Sequence, residues 1–244
     1  MDGTNRSTAL VAVITAVGLG VAGWLAGHGF VAARTAERYV TVKGVAERIV
    51  DADLGLWPLR FVVTDDDLGR AQSRIEAQRR VVLAFLGRHG LDSAATEIQG
   101  LEVTDVQANP YNAPRSGGSR FIVSMNLMVR SENPSQLQAA SQSVGELVNA
   151  GVVLSSEGRF VSGPTFVFRK LNDLKPAMIA EATANARKGA EQFAQDSHSA
   201  LGGIRRANQG VFEILPRDQI QGLMEGSQLQ KTLRVVATVD YWLR

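Results

Sequence analysis

The sequence predicts an α+β fold: a mainly antiparallel sheet with three main helices, preceded by one N-terminal transmembrane helix. Three observations favour this fold class. Strand-like segments occur in pairs between helical segments, as they do where helices pack on an antiparallel sheet. The C-terminal segment alternates apolar and polar residues, as a strand with one buried face does. The N-terminus carries a long apolar run without charges.

The apolar run Ala9–Gly27 contains 19 residues. A helix of this length spans roughly 28 Å, close to the thickness of the hydrocarbon core of a bilayer. We therefore divide the chain into a short tail (1–8), a transmembrane anchor or uncleaved signal (9–33) and an α+β domain (34–244). A cleaved signal peptide stays open as the alternative, because Val31-Ala32-Ala33 offers small residues at which a signal peptidase could cut.

The charges that flank this run oppose export of the large domain. The N-terminal tail carries Arg6 and Asp2, whereas the other flank carries four basic residues, Arg34, Arg38, Lys43 and Arg48. Because basic flanks tend to remain in the cytoplasm, the charge count alone favours a cytoplasmic domain.

The first half of the domain has the pattern of two strands, a helix and two further strands. The strand-like segments are Tyr39–Val50, Asp51–Val63, Ile98–Val106 and Arg120–Arg130. Pro58 cannot donate to a ladder, which predicts an edge position or a bulge. We expect the last two of these strands to pair antiparallel across the loop between them. On the last strand, one face carries Phe121, Val123, Met125, Leu127 and Val129.

The helix between these strands begins after Asp65-Asp66-Asp67, because acidic residues favour a helix N-terminus, and ends at Gly87 and Gly90. A calcium site at the three aspartates is the alternative to capping, but no suitably spaced glutamate completes a calcium loop. The predicted buried stripe of the helix is Leu68, Ala71, Ile75, Val82 and Phe85.

Two more helices follow. Asn133-Pro134 begins one that ends at Gly151, with the stripe Leu137, Ala140, Val144 and Leu147. After a short strand at Pro164–Phe168, Asn172 begins a long helix that runs to about His198 and that Gly202-Gly203 terminates. Its stripe is Met178, Ala182, Ala186, Ala190 and Phe193, and strands at Ile204–Leu215 and Leu233–Leu243 complete the domain.

Composition excludes several kinds of chemistry. The chain has no cysteine, which excludes disulfides, thiolate nucleophiles and cysteine-ligated metals. Its three histidines, His28, His89 and His198, lie far apart in sequence, and we expect the last two to cap helices. The net charge of +2 comes from scattered charges, unlike the basic stripe of a nucleic-acid-binding protein. We therefore expect no catalytic residues, no metal, no cofactor and no nucleic-acid partner.

The loop Asn109–Ser119 is the candidate interaction site, because exposed loops often carry function. Its candidate residues are Asn109, Pro110, Tyr111 and Arg115. A simple hairpin connection is the alternative. A ligand-binding protein would instead require a deep pocket lined by polar residues such as Arg60, Arg120 or Tyr111.

The order of motifs resembles the SIMPL domain family over residues 39–243. The family's opening V-x-G strand matches Val42-Lys43-Gly44, and its tyrosine-bearing loop matches Tyr111. The helix that ends in L-x-x-x-G matches Leu83–Gly87 or Leu86–Gly90, and the next strand begins at Ile98. The long alanine-rich helix and the G-x-(L/I) after it match Ala184–Ala194 and Gly202–Ile204, and the last strand matches Val235–Tyr241. Gly189 departs from the usual alanine, and Trp57-Pro58 resembles a membrane-anchored bacterial branch.

The resemblance implies an envelope location, ring- or channel-like oligomers in some members and a loose link to oxidative stress, with no catalytic residues assigned. We therefore expect a single-pass, non-enzymatic protein of the bacterial inner membrane, with the large domain in the periplasm and a structural or interaction role. Its expected partners are the membrane, through residues 9–33, and further copies of itself. A further protein partner is left open. A small-ligand-binding or adaptor protein of the periplasm is the alternative.

Overall fold

The computed structural model describes residues 3–35, 38–92, 94, 96–108, 118–155 and 163–244. Antiparallel sheets and helices make up the described chain, so the predicted α+β class is confirmed. The helices are α1 (Gly3–Thr35), α2 (Leu68–Arg88), α3 (Pro134–Gln142), α4 (Gly145–Asn149) and α5 (Leu171–Asp196). The strands are β1 (Tyr39–Asp51), β2 (Leu54–Asp65), β3 (Thr96–Asp105), β4 (Phe121–Ser131), β5 (Thr165–Val167), β6 (Leu201–Gln209), β7 (Glu213–Pro216) and β8 (Gln230–Leu243).

The chain forms two compact units, each built from separate stretches of sequence. The first unit comprises Met1–Ala46, Ile179–Val211 and Val235–Arg244. The second comprises Glu47–Met178 and Phe212–Arg234. The strands β1 and β8 and the helix α5 each contribute residues to both units.

The sheet of the second unit has the strand order β3-β4-β2-β5. β4 pairs antiparallel with β2 over Gly55–Asp65 and with β3 over Thr96–Asp105, which confirms the predicted pairing across the 109–119 loop. The alternation predicted for β4 is also confirmed, because four of its side chains are buried on one face: Val123, Met125, Leu127 and Val129.

Pro58 fits into β2 because its nitrogen faces away from β4. On that side the carbonyl of Arg60 accepts a hydrogen bond of 2.9 Å from the amide of Ser155. Backbone groups alternate in direction along a strand, so Pro58, two residues earlier, points the same way. The missing N–H therefore removes no bond to β4. On its own side, β2 pairs with β5 at Leu54–Leu56 and forms a bridge between Phe61 and Leu154.

α2 begins where the acidic run predicts. The side chain of Asp67 accepts a hydrogen bond of 2.8 Å from the amide of Arg70 and so caps the helix. The buried residues are Ala71, Ile75, Val82, Phe85 and Leu86. The prediction that Leu68 belongs to this stripe is wrong: Leu68 is 43% exposed, as the first residue of the helix.

The predicted helix from Asn133 to Gly151 is two short helices. Asn133 caps α3 as expected, with Pro134 in the first turn. The chain turns at Ser143, whose amide bonds the carbonyl of Ala140, three residues earlier instead of four. α4 then begins at Gly145, so this part of the chain has one helix more than predicted.

In the first unit the strand order is β1-β8-β6, and α5 turns a stripe of alanines inward. A Cβ added at Gly44 of β1 would overlap the backbone of Ala182 and Ala186, so α5 lies directly against this strand. The prediction for Phe193 is wrong, since its side chain is 57% exposed. Ala194, four residues after Ala190, continues the buried stripe instead.

Gly202 and Gly203 do not terminate α5, contrary to the prediction, because they lie within β6. The helix ends earlier, and His198 adopts the left-handed conformation (φ 51°) that glycine often supplies after a helix. A Cβ at Gly202 would lie 2.9 Å from Cβ of Trp242, so this glycine allows the neighbouring strand to approach. The predicted strand Ile204–Leu215 is also interrupted, and β6 and β7 are separate.

β8 confirms the C-terminal alternation, because the side chains of Leu233, Val235, Ala237, Val239 and Tyr241 are all buried. At the other end of the chain, α1 contains the 18-residue stretch Val13–Phe30 with a mean hydropathy of 1.5. This helix is long and apolar enough to cross a membrane, a property that it shares with signal sequences.

Candidate functional site

The predicted interaction residues Asn109, Pro110, Tyr111 and Arg115 lie outside the described residues. The structure describes the base of their loop, which is formed by the end of β3 and the start of β4. There Asp105 pairs with Phe121 in the strand register, and the amide of Val106 bonds the carbonyl of Arg120 at 2.9 Å. The loop therefore begins and ends on a hydrogen-bonded strand pair.

An ion pair holds this base together. The guanidinium of Arg120 donates from Nη2 (2.9 Å) and Nε (3.2 Å) to Oδ2 of Asp105. It also lies 4.8 Å from the ring centroid of Phe121. The hydrogen bond from Arg120 holds the pKa of the Asp105 carboxyl below its ordinary value, and the same bond raises the pKa of Arg120. Both groups are thus fixed in their charged forms at neutral pH.

The three consecutive aspartates lie next to the base of the loop, and Asp66 contacts it. Oδ1 of Asp66 accepts a hydrogen bond of 3.1 Å from the amide of Arg120. Asp65 lies 2.9 Å from Nη2 of Arg70 and 3.3 Å from Nη1 of Arg74. The Asp67 amide, followed by the Arg70 guanidinium, lowers the pKa of Asp65 to about 2.

These contacts assign helix capping to Asp67 and hydrogen-bond partners to the other two aspartates. Each carboxylate already accepts hydrogen bonds from the protein, and Asp67 is the helix cap. In the part of the chain that the structure describes, no group of three or more His, Asp or Glu side chains is arranged to hold a metal ion. The capping interpretation is confirmed.

Two histidines lie at helix ends, as expected. His89 is the C-cap of α2, its ring centroid is 4.6 Å from that of Phe85, and its Nε2 is 3.3 Å from Glu146. His198 follows the end of α5. His28 lies in α1, with its ring centroid 4.5 Å from that of Trp24. Each of the three histidines therefore lies within a helix or directly at the end of one.

Arg60 and Arg120, the two described residues suggested for a ligand pocket, are both held in ion pairs. Nη2 of Arg60 lies 3.3 Å from Glu102 and 3.2 Å from Oγ of Ser124. Arg60 lines a narrow cavity with Pro58, Leu59, Gln99, Asn126 and Leu127, and this cavity has no room even for a water molecule. Small-molecule sites usually measure roughly 300–1,000 Å³, so this cavity is too small for such a ligand.

A larger open groove lies elsewhere on the same sheet. It is lined by Asp92, Ala94, Glu97, Met128, Arg130 and Glu132. Three carboxylates and one guanidinium give it a mixed but mainly acidic character. Sequence reasoning missed this groove, since its walls come from segments more than 30 residues apart.

The sequence pattern also failed to predict an exposed apolar surface on β3. Ile98, Leu101 and Val103, which we name the β3 stripe, are 52%, 44% and 47% exposed. Their cross-strand partners on β4 are Leu127, Met125 and Val123 in the same order, and all three are buried. The register shifts between Ile98 and Gly100, which breaks the period of two that would have revealed the shared face.

A family model described as "SIMPL: Protein of unknown function (DUF541)" matches residues 40–240. No curated protein shows significant similarity to the chain. Residues that carried the resemblance now have structural roles: Gly44 admits α5, and Ala186 and Ala190 are fully buried on that helix. Since the match covers most of the chain, the protein belongs to the SIMPL family.

Proposed function

We propose that this protein is a single-pass, membrane-anchored and non-enzymatic component of the bacterial cell envelope, which self-assembles and has a structural or interaction role. Its large domain lies in the periplasm. The observation that carries the self-assembly is the β3 stripe, because its three apolar side chains lie beside a buried sheet face and lose contact with water when a partner covers them.

The β3 stripe continues the apolar layer of the sheet beyond the buried core. Its residues lie next to buried side chains of β4, yet each leaves about half of its surface in contact with water. Covering these three side chains would stabilise a contact by roughly 25 cal/mol for each Å² of apolar surface removed from water. Covering this surface of the sheet with another apolar surface therefore lowers the free energy of the system.

A second copy of the chain is the partner that we favour. The stripe carries no charge, so two copies can lie against each other about a two-fold axis without repulsion between like charges. Backbone pairing along the edge of β3 is disfavoured by the bulge near Gln99 and by the acidic side chains Glu97 and Glu102. The expected contact therefore forms between faces of the sheets.

Anchoring in a membrane strengthens such a contact. α1 has the length and apolar composition of a membrane span, and tethered copies share a surface on which their effective concentration is high. The envelope location rests on the family resemblance, against the charges that flank α1. The absence of cysteine is compatible with an oxidising compartment.

The molecular mass of the full chain in detergent micelles, measured by light scattering, tests self-assembly. We expect the unmodified protein to form a multimer and Leu101→Lys to be monomeric, because a lysine in the stripe would have to be buried without a partner. Thr104→Lys is the matched control, since Thr104 lies on the opposite face of β3 and should leave the multimer intact. A monomer at all concentrations, or equal assembly by Leu101→Lys, would contradict the proposal.

A periplasmic ligand-binding or adaptor protein is the second candidate, favoured by the acidic groove at Asp92, Glu97 and Glu132. Such a groove suits a basic peptide segment of another envelope protein. Crosslinking in cells separates the two candidates. Crosslinks between two copies of the chain support assembly. Crosslinks to a different protein support the adaptor function if they disappear in Glu97→Lys.

A further inference from the structure

Lys231 on β8 is a charged residue at a position where the alternation of the strand calls for an apolar one. Its side chain is fully buried, on the same face of the strand as Leu233. No other charged side chain among the described residues is fully buried. Burial of an ionised amine is costly unless a counter-charge and hydrogen bonds compensate for it. The contacts of this amine therefore decide whether the strand can form.

Glu225 compensates for the charge of the buried amine. Nζ of Lys231 lies 2.7 Å from Oε1 of Glu225 and also donates a hydrogen bond to the backbone carbonyl of Glu225. The carboxylate reaches inward from the surface, since the side chain of Glu225 is partly exposed whereas that of Lys231 is not exposed at all. The burial of the amine and the position of Glu225 therefore depend on each other.

Glu225 belongs to the segment 217–229 between β7 and β8, which we name the strap. Within it, Glu225–Ser227 forms a single turn of 3-10 helix. The side-chain amide of Gln228 closes the strap on itself. Its Oε1 accepts a hydrogen bond of 3.0 Å from the amide of Asp218, and its Nε2 donates one of 2.9 Å to the carbonyl of Asp218. These internal bonds let the strap keep its shape when it moves as one piece.

The strap packs against β5, the last strand of the sheet in the second unit. A Cβ added at Gly226 would lie 3.1 Å from Cγ2 of Thr165, so the backbone of the strap comes close to the side chains of β5. At the end of the strap, the carbonyl of Leu229 accepts a hydrogen bond of 2.8 Å from the amide of Ala52, between β1 and β2. The closed strap thus covers part of β5 and the buried amine of Lys231.

Apolar contacts contribute little to holding the strap in place. Three of its large apolar side chains, Ile220, Leu223 and Met224, are exposed. Segments that bury little apolar surface open locally at a low free energy, while the rest of the domain stays folded. Closure of the strap therefore depends mainly on its polar contacts. The ion pair is the strongest of them, because its loss leaves a buried charge without compensation.

We propose that the strap is a lid that opens separately from the rest of the second unit, and that the Lys231–Glu225 ion pair is the latch that keeps it closed. When Glu225 is released, the strap opens and water reaches the ammonium group of Lys231, so that no isolated charge remains in the interior. The latch thereby controls access to β5 and to this amine. It lies within the second unit and works whether or not the chain self-assembles.

Acylation of lysines in the full chain, kept in detergent micelles, tests the lid. The reagent is a small activated ester, and mass spectrometry follows the modification of each lysine. Lys231 can react only while the strap is open, whereas the exposed Lys170 gives the reference rate in the same sample. Hydrogen exchange at the amide of Ala52, which bonds the strap, reports the same opening. Exchange at the amide of Val123, in a central strand, reports unfolding of the unit.

We expect Glu225→Gln to raise the acylation rate of Lys231 and the exchange rate of Ala52 about tenfold, because a neutral glutamine cannot balance the buried charge. Exchange at Val123 should stay unchanged. Asp218→Asn is the matched control, since it also neutralises a carboxylate of the strap, but Asp218 bonds Gln228 through its backbone. This control should leave both rates within about twofold of those of the unmodified protein.

The double variant Glu225→Gln/Lys231→Met separates the effect of the buried charge from the loss of a contact. A methionine needs no counter-charge, so exchange at Ala52 should return to within about threefold of the unmodified rate. An unchanged acylation rate of Lys231 in Glu225→Gln would overturn the latch, and so would an exchange rate at Ala52 that stays high in the double variant. An equal increase at Val123 would show that the ion pair stabilises the whole unit and that no lid opens.

Discussion

Gly44 of β1 lies directly against the backbone of Ala182 in α5, where an added Cβ would overlap the carbonyl oxygen of Ala182. The glycine of the V-x-G opening is therefore required by close packing between strand and helix. We expect Gly44→Ala to lower the free energy of unfolding by about 3 kcal/mol or to prevent folding, because backbone cannot move aside as a side chain can. Urea denaturation followed by circular dichroism measures this loss.

The control for Gly44 is Gly203→Ala in β6. A Cβ at Gly203 meets no atom within 4 Å, so this variant should differ from the unmodified protein by less than about 0.5 kcal/mol. Equal losses at both positions would show that packing against α5 is not the reason for the glycine.

Gly189 in α5 should respond in the opposite direction. A Cβ at this position lies 3.9 Å from Cγ1 of Val42, which is an ordinary contact. Since alanine has a higher helix propensity, we expect Gly189→Ala to raise the free energy of unfolding by about 0.5–1 kcal/mol. A decrease in the midpoint of urea denaturation would contradict the packing described for α5.

Asp65 should make the protein sensitive to acid. Its pKa is lowered from 3.8 to about 2 in the folded chain, so its contribution to stability is complete above pH 4 and is lost as the pH falls towards 2. We expect Asp65→Asn to be less stable at pH 6 and to lose less stability between pH 4 and 2 than the unmodified protein. The midpoints of urea denaturation of both proteins, measured across this pH range, test the prediction. An equal loss of stability in the two proteins would count against it.

Arg120 should control the base of the 109–119 loop. Arg120→Ala removes the ion pair to Asp105 but leaves the strand backbone intact. We expect the amide of Val106, which bonds the carbonyl of residue 120, to exchange its hydrogen about tenfold faster, as local opening becomes easier. The amide of Val123, within the strand, should not change. Unchanged exchange at Val106 would show that the ion pair does not hold the loop.

Local patterns predicted those features that depend on neighbours in sequence. Asp67 caps α2, Asn133 caps α3, and the alternation of β4 and β8 matches their buried faces. Each of these follows from spacing within one element, because a strand buries every second residue and a helix every third or fourth.

The failures share a different physical origin. Leu68 and Phe193 have helical spacing but are exposed, because the ends and flanks of a helix extend beyond the surface that covers it. Gly202 follows a helix, which predicts a helix terminator, but its role is to admit Trp242 from a strand 40 residues away.

The β3 stripe, which carries the proposed self-assembly, was also beyond the sequence pattern. It depends on a bulge that shifts its register with β4, the next strand along the chain. A bulge shifts every later side chain by one position, so no fixed period reveals such a surface.

The most direct test of the account is protease access to the domain in intact cells. A specific protease site inserted after Gly222 would lie in an exposed turn, between the exposed residues Ile220 and Met224. The protease is added to intact spheroplasts, and a cytoplasmic protein carrying the same site reports leakage. We predict complete cleavage in intact spheroplasts, with the N-terminal fragment kept in the membrane fraction. Cleavage only after the membrane is permeabilised would contradict the periplasmic location, and release of the fragment would contradict the anchor.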